Sequence, residues 1–393
     1  MTSAAVYDPD PELKRPAFSD AEYARRDAAT REVMRASGVD ALILYGTPGL
    51  DSEVQYLSGF RVTREAMLVY PLDSAPALYV EYFNHTSHAR RVVTRADVRW
   101  GGDDLATTVA TDLRDRGLAT ARLGYAGMLP VQRYLRLRLA LPKAELVDIS
   151  GDLRRLRLVK SAEELAFLRE GARLTDRAAS ALAEQIRPGM AEHDLIAIIE
   201  AAYLSAGGQT GIHYLASTPM ANPERCVPAQ QPSGRVIQVG DAIITELSAQ
   251  YQGYSGQILR PYAVGAAPTP TYQRMYDIAV EAFERIAGVI KAGASTEDAL
   301  DVAELIHAAG YTICDDLLHG YGGGYLPPIL RTRRTSATPP PPFTFEENMM
   351  VVIQPNVITE DERSGVQVGE LVRVTRDGVE RMHTYPMRFT RCG

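Results

Sequence analysis

Short apolar runs separated by amphipathic stretches dominate the first ~150 residues, the pattern of covered strands interleaved with helices. Ser19 and Glu22 form a capping-box signal ahead of a helix running towards Ser37, and Gly38 leads into a strand at Ala41 to Tyr45. Further strands are expected at Ala66 to Tyr70, Ala77 to Tyr82 and Arg122 to Tyr125, with a helix near Thr107 to Arg116. The pattern predicts an α/β layer.

The pattern changes after Asp148. Ser161 and Glu164 make a second capping box, and Leu165, Leu168 and Ala172 then share one face of a long helix. A linker entering a helix marks a domain boundary, so domains are expected at 1–152 and 153–393. Within the second, IRPGMAEHDLIAIIEAAYLSAGG (Ile186 to Gly208) resembles IKAGASTEDALDVAELIHAAGY (Ile290 to Tyr311). Each copy has a Gly turn, an acidic first helical turn, an apolar helix and a Gly stop, which predicts two pseudo-symmetric α/β halves around a site. Gly240 to Gly265 reads as a hairpin turning near Gln252-Gly253, and Met349 to Gln354 and Gly369 to Thr375 read as later strands. Pro339 to Pro342 belong to a loop.

Composition narrows the function classes. The chain has 393 residues, enough for two domains, and a net charge of −7, which argues against nucleic acid or an anionic membrane as partner. Arg154, Arg155, Arg157, Arg331, Arg333 and Arg334 are scattered and offset by acidic residues. The first sixteen residues lack the charged and apolar regions of a signal peptide, and no apolar run reaches eighteen residues. Cys226, Cys314 and Cys392 show no paired spacing, so reduced thiols in a cytoplasm are expected.

Two polar residues interrupt apolar strands. Glu246 lies in AIITELSA and Gln354 ends MMVVIQP. A carboxylate withdrawn from water costs several kcal/mol unless paired, so Glu246 needs a cation, a hydrogen-bond donor or a proton, or else a half-exposed strand face.

The segments LRLVKSAEELAFLREGARLTDRA, IRPGM, PSGRVIQVGD and ENMMVVIQP, in this order, resemble the catalytic domain of the creatinase, prolidase and aminopeptidase P family. The resemblance spans about Leu153 to Thr375 and implies the pita-bread fold behind an N-terminal creatinase-like α/β domain, an α/β (α+β) class overall. Metal-dependent members hold two divalent ions with two Asp, one His and two Glu. Carried across, these positions are Glu246, Gln257, Gly323 in HGYGGGYLPP, Gln354, and Gly369 in GVQVGELVRVT. One carboxylate, two amides and two glycines are a poor set for hard cations, so no metal and no other cofactor is expected. Metal-free creatinase resembles this situation, but Ala229 stands where its catalytic histidine would be.

The resemblance then implies the remaining candidates. Glu246, His319 and Tyr254 are expected to be catalytic. Gln257, Gln354, Arg260, Tyr321, Tyr325, Cys226, Gln230, Phe60, Arg61 and Arg64 are expected around a substrate. Cys226 could be a nucleophile with His319 as its base. The tyrosines could instead be packing residues. Phe60, Arg61 and Arg64, in YLSGFRVTREAMLVY, resemble the segment that reaches a neighbouring subunit's site, which implies a homodimer. The leading expectation is a cytoplasmic, metal-independent hydrolase or lyase acting on a small polar metabolite at a C–N or neighbouring bond. A catalytically inactive peptidase-fold binding protein and an Xaa-Pro peptidase with an atypical site are the alternatives.

Overall fold

The computed structural model describes residues 16–50 and 52–393; the N-terminal stretch read for a leader lies outside them. The chain divides into two compact units, Met1–Arg157 and Leu158–Gly393. The boundary falls later than the expected Asp152 because Ile149 and Leu153 are buried in the first unit's core.

The first unit opens with α1 (Asp20–Ser37), capped by the Ser19 hydroxyl and closed by left-handed Gly38. Its sheet contains β1 (Ala41–Gly46), β2 (Ala66–Pro71), β3 (Ala77–Val80), β4 (Asp97–Trp100), β5 (Arg122–Ala126) and β6 (Glu145–Asp148), in the order β4-β3-β2-β1-β5-β6. Central β1 and β2 are buried along their whole length, which is why they read as continuous apolar runs. Edge strands β4 and β6 are mostly exposed or half-buried and of mixed polarity, so the hydrophobic pattern did not reveal them. The helix expected near Thr107 begins at Leu105, where the Asp104 carboxylate accepts from the Ala106 N–H at 3.2 Å.

The second unit opens with α2 (Ala162–Gln185), whose Ser161–Glu164 capping box forms as expected. After α3 (Glu192–Ala201) come β7 (Gln209–Pro219), β8 (Asp241–Tyr251), β9 (Tyr254–Ser255) and β10 (Ile258–Val264). The second half follows with α4 (Pro270–Val289), α5 (Thr296–Ala308), β11 (Leu318–Tyr321), β12 (Tyr325–Leu330), β13 (Met350–Ile353), β14 (Asn356–Ile358), β15 (Gly365–Gln367) and β16 (Gly369–Val374). The main path of the sheet is β12-β11-β13-β16-β10-β8-β7, with β14 and β15 as a separate ribbon. The repeated sequence corresponds to a repeated structure. Asp194 at the start of α3 and Asp298 at the start of α5 each accept from the backbone N–H three residues earlier, at 2.8 and 3.1 Å. One apolar core lies under α2 and α3, another under α4 and α5.

The β8 hairpin turns at Gln252 and Gly253, both with positive φ. Beyond it, α2 meets the chain backbone to backbone. A Cβ on Gly256 would sit 2.3 Å from the Ala172 Cα, and one on Gly171 would sit 2.6 Å from the Tyr254 carbonyl oxygen. Two glycines therefore set the depth of the segment that delivers Gln257. Among the described residues, no helix is long and apolar enough to cross a membrane.

Candidate functional site

The centre of the second sheet brings the polar candidates together. Tyr214 on β7, Glu246 on β8, Leu259 on β10 and Gly369 on β16 form one cross-strand row, so their Cα–Cβ directions share a face. Gln257 enters just ahead of β10, Gln354 follows β13, and His319 lies on β11 opposite Val352. Gln257 Nε2 donates to Glu246 Oε1 at 2.9 Å and to Gln354 Oε1 at 3.1 Å. Gln354 Nε2 continues the chain to the Asp316 carbonyl at 3.3 Å. His319 Nδ1 donates to the Gly320 carbonyl at 3.1 Å, and the ring also hydrogen-bonds with Gln354.

This cluster is neutral at pH 7. Burial pushes the Glu246 carboxyl up to about 8, and the nearby carboxylates of Asp315 and Asp316 add to the effect. Glu246 keeps part of its surface open while protein encloses most of it. Burial pushes His319 down to about 4, leaving the imidazole uncharged. Glu246 therefore carries a proton where an unperturbed glutamate would carry a charge. Gln257 is 1% exposed, and among the described residues its Oε1 has no hydrogen-bond partner.

The residues present do not fit two divalent cations. Among the described residues, no three His, Cys, Asp or Glu side chains converge to hold a metal ion. Two ligand positions also disfavour a side chain. A Cβ at Gly369 would lie 2.4 Å from the Ile353 carbonyl oxygen and 2.7 Å from the Gln354 Cα. Gly323 has φ +64°, a conformation that costs a residue with a side chain about 1 kcal/mol. The amides bring no negative charge to offset that of two divalent cations.

Tyr325 and Tyr321 wall the site. The Tyr325 ring stacks on His319 with centroids 4.1 Å apart, and its hydroxyl donates to the Asp316 carboxylate. Tyr321 meets His319 edge-on at 5.4 Å, with its hydroxyl towards Ser248 and Ser255.

Other expected residues are placed differently. The Tyr254 hydroxyl donates to Glu164 at 3.0 Å and its ring packs on Phe167, so it anchors α2 instead of serving as an acid or base. Arg260 is fully buried, bound to Glu370 and to four backbone carbonyls, and is not free to hold a substrate. Cys226 faces Cys314, not His319, which removes the proposed thiol–imidazole pair. Gln230 is exposed on the loop before β8. Phe60 is packed in the first unit's core, whereas Arg64 is largely exposed with Glu81 3.5 Å away, and Arg61 is half-buried.

Asp315 and Asp316 were missed from the sequence. The cue was CDDLLHG, two acids shortly before the site histidine, but only the fold brings them within electrostatic reach of Glu246. Glu192 was missed as well. Burial works to raise its carboxyl, but hydrogen bonds from Ser233 and Ser217 outweigh burial and lower it. Those bonds, at 2.7 to 2.9 Å, tie down the loop that carries Cys226.

The profile of metallopeptidase family M24 matches residues 166–376, and that of the creatinase/prolidase N-terminal domain matches residues 26–159. The chain is 24% identical to an uncharacterised peptidase of Bacillus subtilis over 354 residues, 88% of this chain and 94% of that protein. It is 26% identical to the Xaa-Pro dipeptidase of Pyrococcus furiosus over 265 residues, 67% of this chain and 74% of that protein. The X-Pro aminopeptidase of Thermotoga maritima superimposes with a TM-score of 0.79 at 21% identity, covering 93% of this chain and 99% of that one. At that identity the last likeness is one of fold.

Proposed function

The chain belongs to metallopeptidase family M24, the creatinase, prolidase and aminopeptidase P group, and from that membership we propose that it handles short peptides or peptide-like amides through a neutral side-chain cluster. The names of its relatives favour this over the creatinase-like hydrolase or lyase expected from the sequence. Where they state an activity, it is that of a dipeptidase or an X-Pro aminopeptidase. The substrate class therefore shifts from small polar metabolites to peptide amides.

The observation that carries the proposal is the chain Glu246–Gln257–Gln354 with a proton on Glu246. A peptide group offers one acceptor and one donor. The protonated Glu246 can donate to a carbonyl oxygen, and the unpartnered Gln257 Oε1 can accept an N–H. Donation by Glu246 polarises the carbonyl, and transfer of that proton to the departing nitrogen is the acid half of amide hydrolysis. His319, neutral and fixed through Nδ1, adds no charge to the cluster and hydrogen-bonds with Gln354. In this proposal a second copy of the chain brings Arg61 and Arg64 to the substrate's anionic end, in a homodimer.

The test is a panel of Xaa-Pro dipeptides and blocked dipeptide amides, assayed for binding and cleavage with chelator-treated protein and with added Mn, Co or Zn. Binding that survives chelation and is weakened by Glu246→Gln is the expected outcome. Turnover that chelation abolishes and a divalent metal restores would overturn the neutral-site reading. A peptide-binding protein without turnover is the second reading, favoured by His319 being too weak a base to activate water efficiently; binding without product identifies it.

A further inference from the structure

The polar cluster holds a second buried group without a partner. Ser248, two residues past Glu246 on β8, was missed from the sequence. It is fully enclosed, and among the described residues its hydroxyl has no hydrogen-bond partner.

Strand register places this hydroxyl beside Gln257. β8 pairs with β9 at Gln250 and Ser255 and with β10 at Leu247 and Ile258, and between them the Gly256 N–H donates to the Ala249 carbonyl at 3.2 Å. The same register sets Ser248 directly opposite Gln257. The Gln257 carbonyl turns away to the Leu371 N–H at 2.9 Å, which makes this the closer, non-hydrogen-bonded kind of pair, with Cβ atoms about 5 Å apart. Ser248 shares the Glu246 face of β8, whereas Leu247 and Ala249 point into the core under α2 and α3. On β7 its neighbour is Ile212, next to the register shift at Gly211, and an isoleucine side chain supplies no hydrogen bond. The Tyr321 hydroxyl turns towards Ser248 without closing a bond on it.

Three open hydrogen-bonding positions therefore meet on one face. Gln257 Oε1 and Ser248 Oγ accept, and the protonated Glu246 carboxyl donates. We propose that Ser248 and Gln257 form a receptor for a primary carboxamide, accepting its two N–H groups while its carbonyl oxygen faces Glu246. The inference rests on the peptide-amide reading and names a substrate class within it, ligands that end in a carboxamide.

The choice follows from counting donors and acceptors. A primary carboxamide carries one acceptor and two donors on one planar group, the complement of the three positions. A secondary peptide amide has a single N–H and leaves one buried acceptor unpaired. A carboxylate has no donor and adds a negative charge near Asp315 and Asp316, which already oppose ionisation of Glu246. An ammonium has no acceptor for the Glu246 proton. Groups left unpaired in an enclosed site cost affinity, which is how a hydrogen-bonding pocket rejects an analogue that lacks a donor.

The experiment is calorimetric titration of the intact protein at about pH 6, where Glu246 keeps its proton. The ligands are acetylproline carboxamide, its N-methylamide, its free acid and the aminomethyl analogue. Acetylproline has no N–H of its own, so the end group supplies every donor. The carboxamide should bind about tenfold or more tighter than the other three. Ser248→Ala should lower the affinity for the carboxamide about tenfold and leave that for the N-methylamide unchanged or raised, because only the carboxamide donates to Ser248. The variant should melt no lower than the parent, since the hydroxyl it removes has no partner to lose. Tightest binding of the acid or the amine would overturn the proposal, as would an equal loss for both amides in Ser248→Ala. A marked fall in its melting temperature would do so too, by showing that the hydroxyl is bonded within the protein. An N-methylamide that binds as tightly as the carboxamide removes the receptor and leaves the peptide-amide reading standing. A series that does not bind at all also removes the receptor, and the dipeptide panel then decides whether the peptide-amide reading falls with it.

Discussion

The two faces of the strands β8, β10 and β16 solve the burial of polar groups in opposite ways. On one face Arg260, Glu370 and Arg381 form an ionic triad, with Arg260 and Glu370 fully enclosed and every Arg260 nitrogen bonded. On the other face, one residue along, Glu246, Gln257 and Gln354 form a chain without a charge at neutral pH. Charge is kept where the protein supplies all the partners, and is absent where one acceptor, Gln257 Oε1, has been left without any. The Arg260 cluster is completed by the protein itself, whereas the Glu246 cluster keeps one acceptor open.

Several measurements would break or sharpen this contrast. Glu370→Ala leaves Arg260 buried and unpaired, a change that costs about 3–5 kcal/mol. Denaturant unfolding should show that loss, and a loss below about 1 kcal/mol would mean the triad does not hold the sheet. Glu246→Gln should do the reverse, staying within about 1 kcal/mol of the parent near pH 4, where the carboxyl is protonated folded and unfolded, and becoming the more stable of the two as the pH rises. Its cost should appear in function, as a fall of about 10²-fold or more in any amide turnover, with weaker dipeptide binding by calorimetry.

The pH dependence gives the next effect. Glu246 is raised in the folded state from the usual carboxyl range to about 8, so between about pH 4.5 and 8 the folded chain holds a proton that the unfolded chain has released. Its contribution to stability falls as pH rises through that window and is flat above it, with a limiting slope of about 1.4 kcal/mol per pH unit. Glu246→Gln should remove this component from a stability–pH curve; parallel curves for parent and variant would show that Glu246 is ionised throughout. Binding of a neutral amide should weaken above about pH 8 in the parent only.

The smallest effect is expected from Gly369→Ala. Its methyl must displace the Ile353 carbonyl and Gln354, costing about 1–3 kcal/mol as overpacking. Peptide binding should fall as Gln354 shifts. A variant with unchanged melting temperature and binding would show that this position is roomier than the backbone indicates.

Much of the fold was legible from one sequence. The buried strands, both capping boxes, the repeated acid-capped helices and the Gln252-Gly253 turn depend on patterns within about twenty residues, where local chemistry decides. The edge strands β4 and β6 were not legible, because an exposed strand has no hydrophobic period to betray it. At the site, an acid inside AIITELSA and an amide ending MMVVIQP announced buried polarity before any coordinates.

Partner choice was decided by tertiary structure alone. Tyr254 and Arg260 lie within six residues of Gln257, yet one anchors a helix and the other a sheet, because strand alternation and the turn before β10 aim them elsewhere. Asp315 and Asp316 gain their influence on Glu246 from chain crossings tens of residues away in sequence. Sequence alone determined which residues would be costly to bury, since desolvation is a property of the side chain. Only the fold decided which neighbour meets that cost, since pairing depends on distances of a few ångströms between segments that share no local pattern.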